Sequence, residues 1–456
     1  MVIAIITIIT IITLLVLTVV KKPLTKPHTP TPWGTAPPRS TRVPAGIVNL
    51  SAFDANAAAF ARLSSPSSKT IRVATKSIRV PDLILRVLSS SPAYDGIMAF
   101  DPQEAAFLTL DYPQANALRA AGGNDVLLAY PIDPQSQLGP IVRMVEAGVH
   151  VRVMVDSVHH VSDLARVFSA ARRGDDLVLD VVVDVDMSYR PFGDILHVGV
   201  RRSPIHTLQE LAVVVDAIDA HSSCLSFAGI MGYEAQHAGL PNASPFVSRI
   251  TNVGIRLLQH LSHAHVSSLR AQLGVFLSSR SSSSHSNRPL MFNGGGTGSA
   301  CTAARDPYLT EFTIGSGLLC SHLFDLYTHG PPPGLIPALV IALRVTRKPR
   351  DDIVVVSSGG FVASGDPRSG DKAPIIVLPD PATLAPLAAE GWGEVQTPLC
   401  GPGARLLSVG DTILVRPAKA GEIAERFSAY FVFNGDDNEP TFVQTPTYRG
   451  YGLAAY

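Results

Sequence analysis

Lys76 closes an apolar, β-rich run in IRVATKS and is followed by Ser77. A lysine held in a partly apolar, desolvated mouth gives up its proton more readily and can attack a carbonyl. Gly294-Gly295-Gly296-Thr297-Gly298 follows a second apolar run at 290–293. Glycines leave backbone N–H groups unobstructed, and a helix start behind them adds positive potential, so the segment suits an anion. It is not a Walker A sequence, because no Gly-Lys-Ser/Thr follows. Each feature alone has a plain alternative: a solvated loop lysine, and a flexible glycine turn.

Taken together, the two suit a cofactor carrying both an aldehyde and a phosphate. Lys76 would hold the aldehyde, and Gly295, Gly296, Thr297 and Gly298 the phosphate. That combination points to pyridoxal phosphate.

The elements around these residues alternate. Strand-like runs at 71–75, 96–100, 126–130, 151–155, 177–184, 225–231 and 290–293 are separated by amphipathic stretches at 52–63, 81–88, 103–110, 140–147, 161–171, 208–220 and 242–263. Helix-length segments between strands demand parallel crossovers. About eight such units predict a (β/α)8 TIM-like barrel over residues 46–323, with an open doubly wound sheet as the alternative. Strand-end residues such as Lys76 would then face the barrel mouth. Beyond 324 the strand-like runs are separated by Gly, Pro and Asp turns, which predicts a mainly antiparallel β domain over 324–456. The Ser-rich stretch 278–286 is expected to be a surface loop.

Residues 1–20 carry no charge and end at Lys21-Lys22. As a helix they would reach roughly 30 Å, so segment 1–22 is expected to be a membrane anchor, with the catalytic body on the cytoplasmic side. If the segment is not an anchor, the protein is expected in the cytoplasm. Residues 23–45 read as a Pro-rich linker.

Further stretches in the same order bring a resemblance. They are VMVDS around Asp156, HVGV at 197–200, GYEAQ with Tyr233, TEFTIGSG around Glu311, and PTYRGYG near the end. With VATKS and NGGGTGS, they make the body from about Gly46 onward resemble pyridoxal-phosphate enzymes of the alanine racemase-like barrel class. The nearest group is that of D-threonine aldolase, D-serine dehydratase and amino-acid deaminases. The resemblance implies that Lys76 bonds the cofactor aldehyde, that Gly295–Gly298 bind its phosphate, and that Tyr233 lies near it. It implies a lyase acting on small β-hydroxy D-amino acids, working as a homodimer. An amino-acid racemase, with Tyr327 or Tyr448 as a second base, and a non-catalytic cofactor-binding protein are the alternatives.

The sequence departs from the family at two places. The family often has an arginine two residues before the Gly-Val of HVGV, facing the pyridine nitrogen. Here His197 stands there and Arg190 falls in an insertion, so the two remain alternatives. Family aldolases and D-serine dehydratases also bind a divalent ion through a His and a Cys or Asp two residues apart. The matching segment is 416–421, where Lys419 replaces the His and Gly421 the second ligand. An ammonium has no free lone pair and glycine has no side chain, so that metal site is expected to be absent. Lys419 would instead supply the positive charge. His159, His160, His322 and the group His260, His263 and His265 offer other metal candidates, and the last is expected to be a helix-surface feature.

Composition agrees with an enzyme body of two domains. The chain has 456 residues, 46% of them hydrophobic. Lys+Arg (37) balances Asp+Glu (37), which leaves no electrostatic footprint for nucleic acid. Cys224, Cys301, Cys320 and Cys400 lie far apart without CxxC spacing, so neither a zinc ribbon nor a disulfide framework is expected.

Overall fold

The computed structural model describes residues 37–453 except 67–68, 173, 175–176, 281–288, 366–369 and 438–439. After β1 (Ala45–Asn49) the chain alternates strands with helices through β2 (Thr70–Ala74), β3 (Tyr94–Ala99), β4 (Asp125–Leu128), β5 (His150–Val155) and β6 (Leu179–Asp184). A short strand, β7 (Pro191–Asp194), lies in the next crossover. β8 (Leu225–Gly232), β9 (Met291–Gly294) and β10 (Glu311–Ile314) complete the first domain. Strands β2–β6 and β8–β10 pair in parallel, and β10 pairs with both β9 and β2, closing an eight-stranded barrel. All seven expected runs are barrel strands. The eighth, β10, escapes the pattern because it has only four residues and two of them, Glu311 and Thr313, are polar.

Those polar residues serve the barrel interior. Near its lower end, Arg72 of β2 meets Glu311 through Nε at 2.6 Å and Nη2 at 2.7 Å. Arg72 Nη1 also lies 2.9 Å from Asp125. Burial alone would raise the Asp125 carboxyl, but Arg72 and Arg152 outweigh it and hold it at about 2. Gly96 makes room for the guanidinium: its φ is +93°, and a Cβ there would stand 2.4 Å from Arg72 Nη1. Above the ion cluster, Leu127, Met154, Val182, Met231 and Met291 form an apolar plug, with Tyr130 and Tyr233 packed on it toward the mouth. The interior is filled, so only the mouth offers space for a ligand.

The helices follow the amphipathic stretches, although Pro134–Glu146 starts six residues before the expected 140–147, and the last is shifted and much longer. In place of a helix starting at 242, Arg249–Arg280 runs for 32 residues. Pro245 disfavours helix at the residue before it, and Asn242 is tied instead to Thr328 N at 2.8 Å. The helix opens on Ser248, whose hydroxyl accepts from Thr251 N at 3.0 Å. It continues through 278–280, so the start of the expected Ser-rich loop is helical. Residues 281–286 lie outside the described residues.

The second sheet has nine strands. They are β1, β11 (Leu339–Arg350), β12 (Ile353–Ser357), β13 (Ile375–Leu378), β14 (Ala385–Pro386), β15 (Gln396–Cys400), β16 (Thr412–Arg416), β17 (Ala429–Phe433) and β18 (Val443–Pro446). All pairings are antiparallel except β1 with β17. The strand that precedes the barrel in sequence therefore belongs to the other domain, wedged between β11 and β17. All five of its residues are buried, as a strand covered on both faces must be.

The expected anchor, residues 1–20, lies outside the described residues. Among those described, no helix is long and apolar enough to cross a membrane, and all four cysteines are free.

Candidate active site

Lys76 stands where β2 ends, in a tight turn over Thr75–Ser77. The turn is held on several sides. Ile78 N and Arg79 N both donate to Thr75 O at 2.9 Å. Arg79, at φ +56°, donates from Nε to Lys76 O at 3.0 Å. The C-terminal segment reaches the same turn, with Tyr448 N donating to Arg79 O at 2.8 Å. Tyr448 Oη donates to Glu104 at 2.7 Å, and Glu104 also accepts from Phe100 N at 2.9 Å. Burial pushes the Glu104 carboxyl up to about 7, against the pull of Thr75, Tyr448 and Arg79.

The Lys76 amine points to Tyr130, at the end of β4. Nζ hydrogen-bonds the Tyr130 hydroxyl and lies 4.9 Å from the ring centroid. Tyr130 was not singled out from sequence, because an aromatic closing an apolar run reads as core.

The glycine turn sits two strands away, at the C-terminal end of β9, so it shares the mouth with Lys76. Its residues divide the work. Gly295, at φ +78°, would bring a Cβ within 2.8 Å of Ala303, and at Gly298 a Cβ would stand 2.3 Å from Ala238 O. Gly295 is small because the Ala303 side chain packs against it, and Gly298 because the Ala238 backbone does. Gly296 faces Tyr233, whose ring carbon would lie 3.2 Å from a Cβ. Gly295 N donates to Glu234 at 3.1 Å and Gly296 N to Ser299 Oγ at 3.2 Å. Glu234 is itself buried against Arg270 at 2.6 Å. The donors left for a phosphate are the N–H groups of Thr297 and Gly298 and the Thr297 hydroxyl. That hydroxyl accepts from Gly317 N at 3.0 Å and keeps its own hydrogen to give. A Cβ at Gly296 would crowd Ala238 and the Tyr233 ring, so an anion would be held by the free donors of the turn, beside that ring.

Tyr233 lies at this mouth, and its hydroxyl is pushed up to about 12, by burial first and then by Glu234. Two other charges stand close. Asp184, at the end of β6, is pushed up to about 7 by burial and by Asp156, with Asp186 adding and Arg202 opposing. Arg202 also acts on Tyr233. No spacing marked Arg202 in the sequence. Its one signal is its place just after HVGV.

The two expected ring-nitrogen candidates fare differently. Residues 189 and 198 form a bridge, so 190–197 is a hairpin on the β6 crossover. Arg190 turns back on the hairpin's own base, pairing with Asp186 and donating to Ser188 Oγ at 3.1 Å. His197 Nε2 meets Val200 O at 3.2 Å, which leaves Nδ1 buried without a partner among the described residues.

Segment 417–421 of the second domain packs on Lys76. Lys419 Nζ donates to Ser364 O at 2.7 Å and to its hydroxyl at 2.8 Å. Its amine is pushed down by burial, and by Lys372 and Lys76, with Glu422 and Asp371 opposing. At Gly421 a Cβ would stand 2.2 Å from Lys76 O, so a ligating side chain has no room there. Among the described residues, no group of three or more His, Cys, Asp or Glu is placed to hold a metal. His322 is buried, with Nε2 on Ala373 O at 2.8 Å and its ring pushed down to about 4 by burial. His160 meets Asp156 at 2.8 Å and His159 meets Asp163 at 3.4 Å. His260, His263 and His265 are exposed on the long helix.

No protein-family model matches the sequence, and no curated protein matches it. Solved structures do. D-threonine aldolase from Filomicrobium marinum is 17% identical with a TM-score of 0.69, covering 91% of this chain and 97% of its own. D-threo-3-hydroxyaspartate dehydratase from Delftia sp. HT23 is 15% identical with a TM-score of 0.61, covering 90% and 98%. An alanine racemase-like protein from Idiomarina loihiensis is 13% identical with a TM-score of 0.62, covering 89% and 97%. With its closed parallel barrel and its mainly antiparallel second sheet, the chain has the alanine racemase-like fold over both domains.

Proposed function

We propose that the protein is a pyridoxal-phosphate lyase acting on small β-hydroxy D-amino acids. It would either cleave Cα–Cβ to give glycine and an aldehyde, or eliminate the β-hydroxyl to give a 2-oxo acid and ammonia. One observation carries the reading: a strand-end lysine on β2 and a strand-end glycine turn on β9 open onto the same barrel mouth. Likeness to solved aldolase and dehydratase structures supports it at the level of the fold.

When bound, pyridoxal phosphate supplies an electron sink for the carbon next to the substrate nitrogen. Lys76 is the residue that would bond its aldehyde, and Thr297 and Gly298 would hold its phosphate, with Gly295 and Gly296 shaping the turn. Tyr233 walls the space beside Gly296. Arg190 is already spent on Asp186 and Ser188. That leaves the Nδ1 of His197, buried without a partner among the described residues, as the candidate polar group for the ring. In the elimination outcome the Lys76 amine would be the base that takes the α-proton. Lys419 brings a cation to the second-domain side of the mouth, where it favours negative charge developing on the β-oxygen. Tyr327 donates to Ala238 O at 3.1 Å and Tyr448 to buried Glu104, so neither hydroxyl is free to serve as a racemase's second base. The homodimer remains part of the proposal, to be tested by sedimentation.

The test is turnover of D-threonine and D-serine by the full chain with pyridoxal phosphate, against Lys76→Ala. Aldehyde release and 2-oxo acid release separate the two outcomes. Absence of both, with inversion of a chiral amino acid in their place, would transfer the assignment to a racemase.

A further inference from the structure

The Lys76 amine shares the mouth with a second ammonium, that of Lys419, whose own acidity it raises. The group that receives Lys76 is a phenol. Tyr130 offers Nζ its hydroxyl oxygen within hydrogen-bond reach. The phenol itself is fixed. Ala129 N donates to Ala99 O at 3.1 Å, which ties the end of β4 to β3. The ring packs on the apolar plug beside Met98 and Tyr233.

We propose that Tyr130 is a positioning residue for the protonated form of Lys76, a role that rests on the lyase reading of Lys76. When Lys76 acts as base, the substrate Cα–H bond breaks and its electron pair stays on carbon, drawn toward pyridoxal phosphate. The proton takes the lone pair of Nζ. The resulting ammonium donates to Tyr130 Oη, which stabilises the charge by a charge-assisted hydrogen bond. Tyr130 thereby draws the lysine to the β4 side of the mouth and keeps the proton available for return. A phenol suits this better than a carboxylate. It stabilises the cation without neutralising it, and it turns to donate when Nζ is uncharged.

Trinitrobenzenesulfonate attacks only the neutral amine, so labelling of Lys76 reads the contact without any cofactor. The full chain, freed of carbonyl ligands, is labelled at about pH 8 and mapped by peptide mass. Tyr130→Phe keeps the ring and removes the acceptor. Labelling of Lys76 is expected to rise roughly tenfold, the effect of losing one hydrogen bond to a charged group. Tyr130→Gln, which restores an oxygen acceptor, is expected to return it toward the wild-type rate and covers the case in which the Phe variant fails to fold. Equal labelling in folded wild type and Tyr130→Phe would overturn the proposal. Parallel samples treated with pyridoxal phosphate and borohydride report the other layer. An adduct on Lys76 in every sample keeps the lyase reading whatever Tyr130 does. No adduct in any sample removes that reading, and with it the role of Tyr130 in catalysis.

Discussion

At the scale of single residues, the site divides into groups that sequence could mark and groups that only the fold brings in. Lys76 and the glycine turn were legible because together they suit one cofactor, although each alone is an ordinary residue type after a strand. Tyr130 and Arg202 were not. A tyrosine after an apolar run and an arginine after a Gly-Val say nothing until the barrel closes and brings the ends of β4, β6 and β8 to the mouth that β2 shares. Lys419 was legible only as a replacement, and its geometry now gives it a testable task. If it stands in for a metal charge, Lys419→Met should lower kcat by roughly 10²-fold, the scale of one lost electrostatic donor. Chelator treatment of the wild type should change kcat by less than about twofold. A strong loss on chelation, restored by a divalent ion, would contradict this account of Lys419.

At the scale of elements, the turn carrying Lys76 is built by three segments that are remote in sequence: Thr75–Arg79, Glu104, and the C-terminal stretch with Tyr448. The link between Tyr448 and Glu104 has a pH signature. Glu104 titrates near 7 in the fold and near its ordinary 4.5 when unfolded. Between those values the folded state holds a proton that the unfolded state has released. Its contribution to stability therefore falls as pH rises from about 4.5 to about 7 and is flat above. Glu104→Gln removes that slope. Its melting temperature at pH 8, relative to pH 5, should exceed the same difference in the wild type, by an amount that reflects on the order of 3 kcal/mol. Equal differences would show that the carboxyl is not protonated in the fold. Segment 417–421 presses on the same turn from the other domain. Gly421→Ala puts a methyl against Lys76 O, and should lower kcat at temperatures where the variant is still folded, because the displaced group is the backbone of the lysine proposed to react.

At the scale of the whole molecule, the barrel was legible because seven of its strands are apolar runs separated by helix-length stretches. β10 was hidden because Glu311 and Thr313 exchange hydrophobicity for an ion cluster with Arg72 and Asn293. β1 was hidden because an isolated buried strand carries no periodicity, and its partners, β11 and β17, lie hundreds of residues away. The two domains meet over the mouth, where Gly421 and Tyr448 of the second touch the Lys76 turn of the first. The proposed function rests above all on this mouth binding pyridoxal phosphate through Lys76. The most direct measurement is the visible spectrum of the full chain with added pyridoxal phosphate, before and after borohydride, beside Lys76→Ala. The account predicts a yellow band in the wild type that borohydride bleaches, with the added mass mapped to Lys76, and no such band or mass in the variant. A wild-type spectrum that only sums protein and free pyridoxal phosphate, with no mass on Lys76, would contradict it.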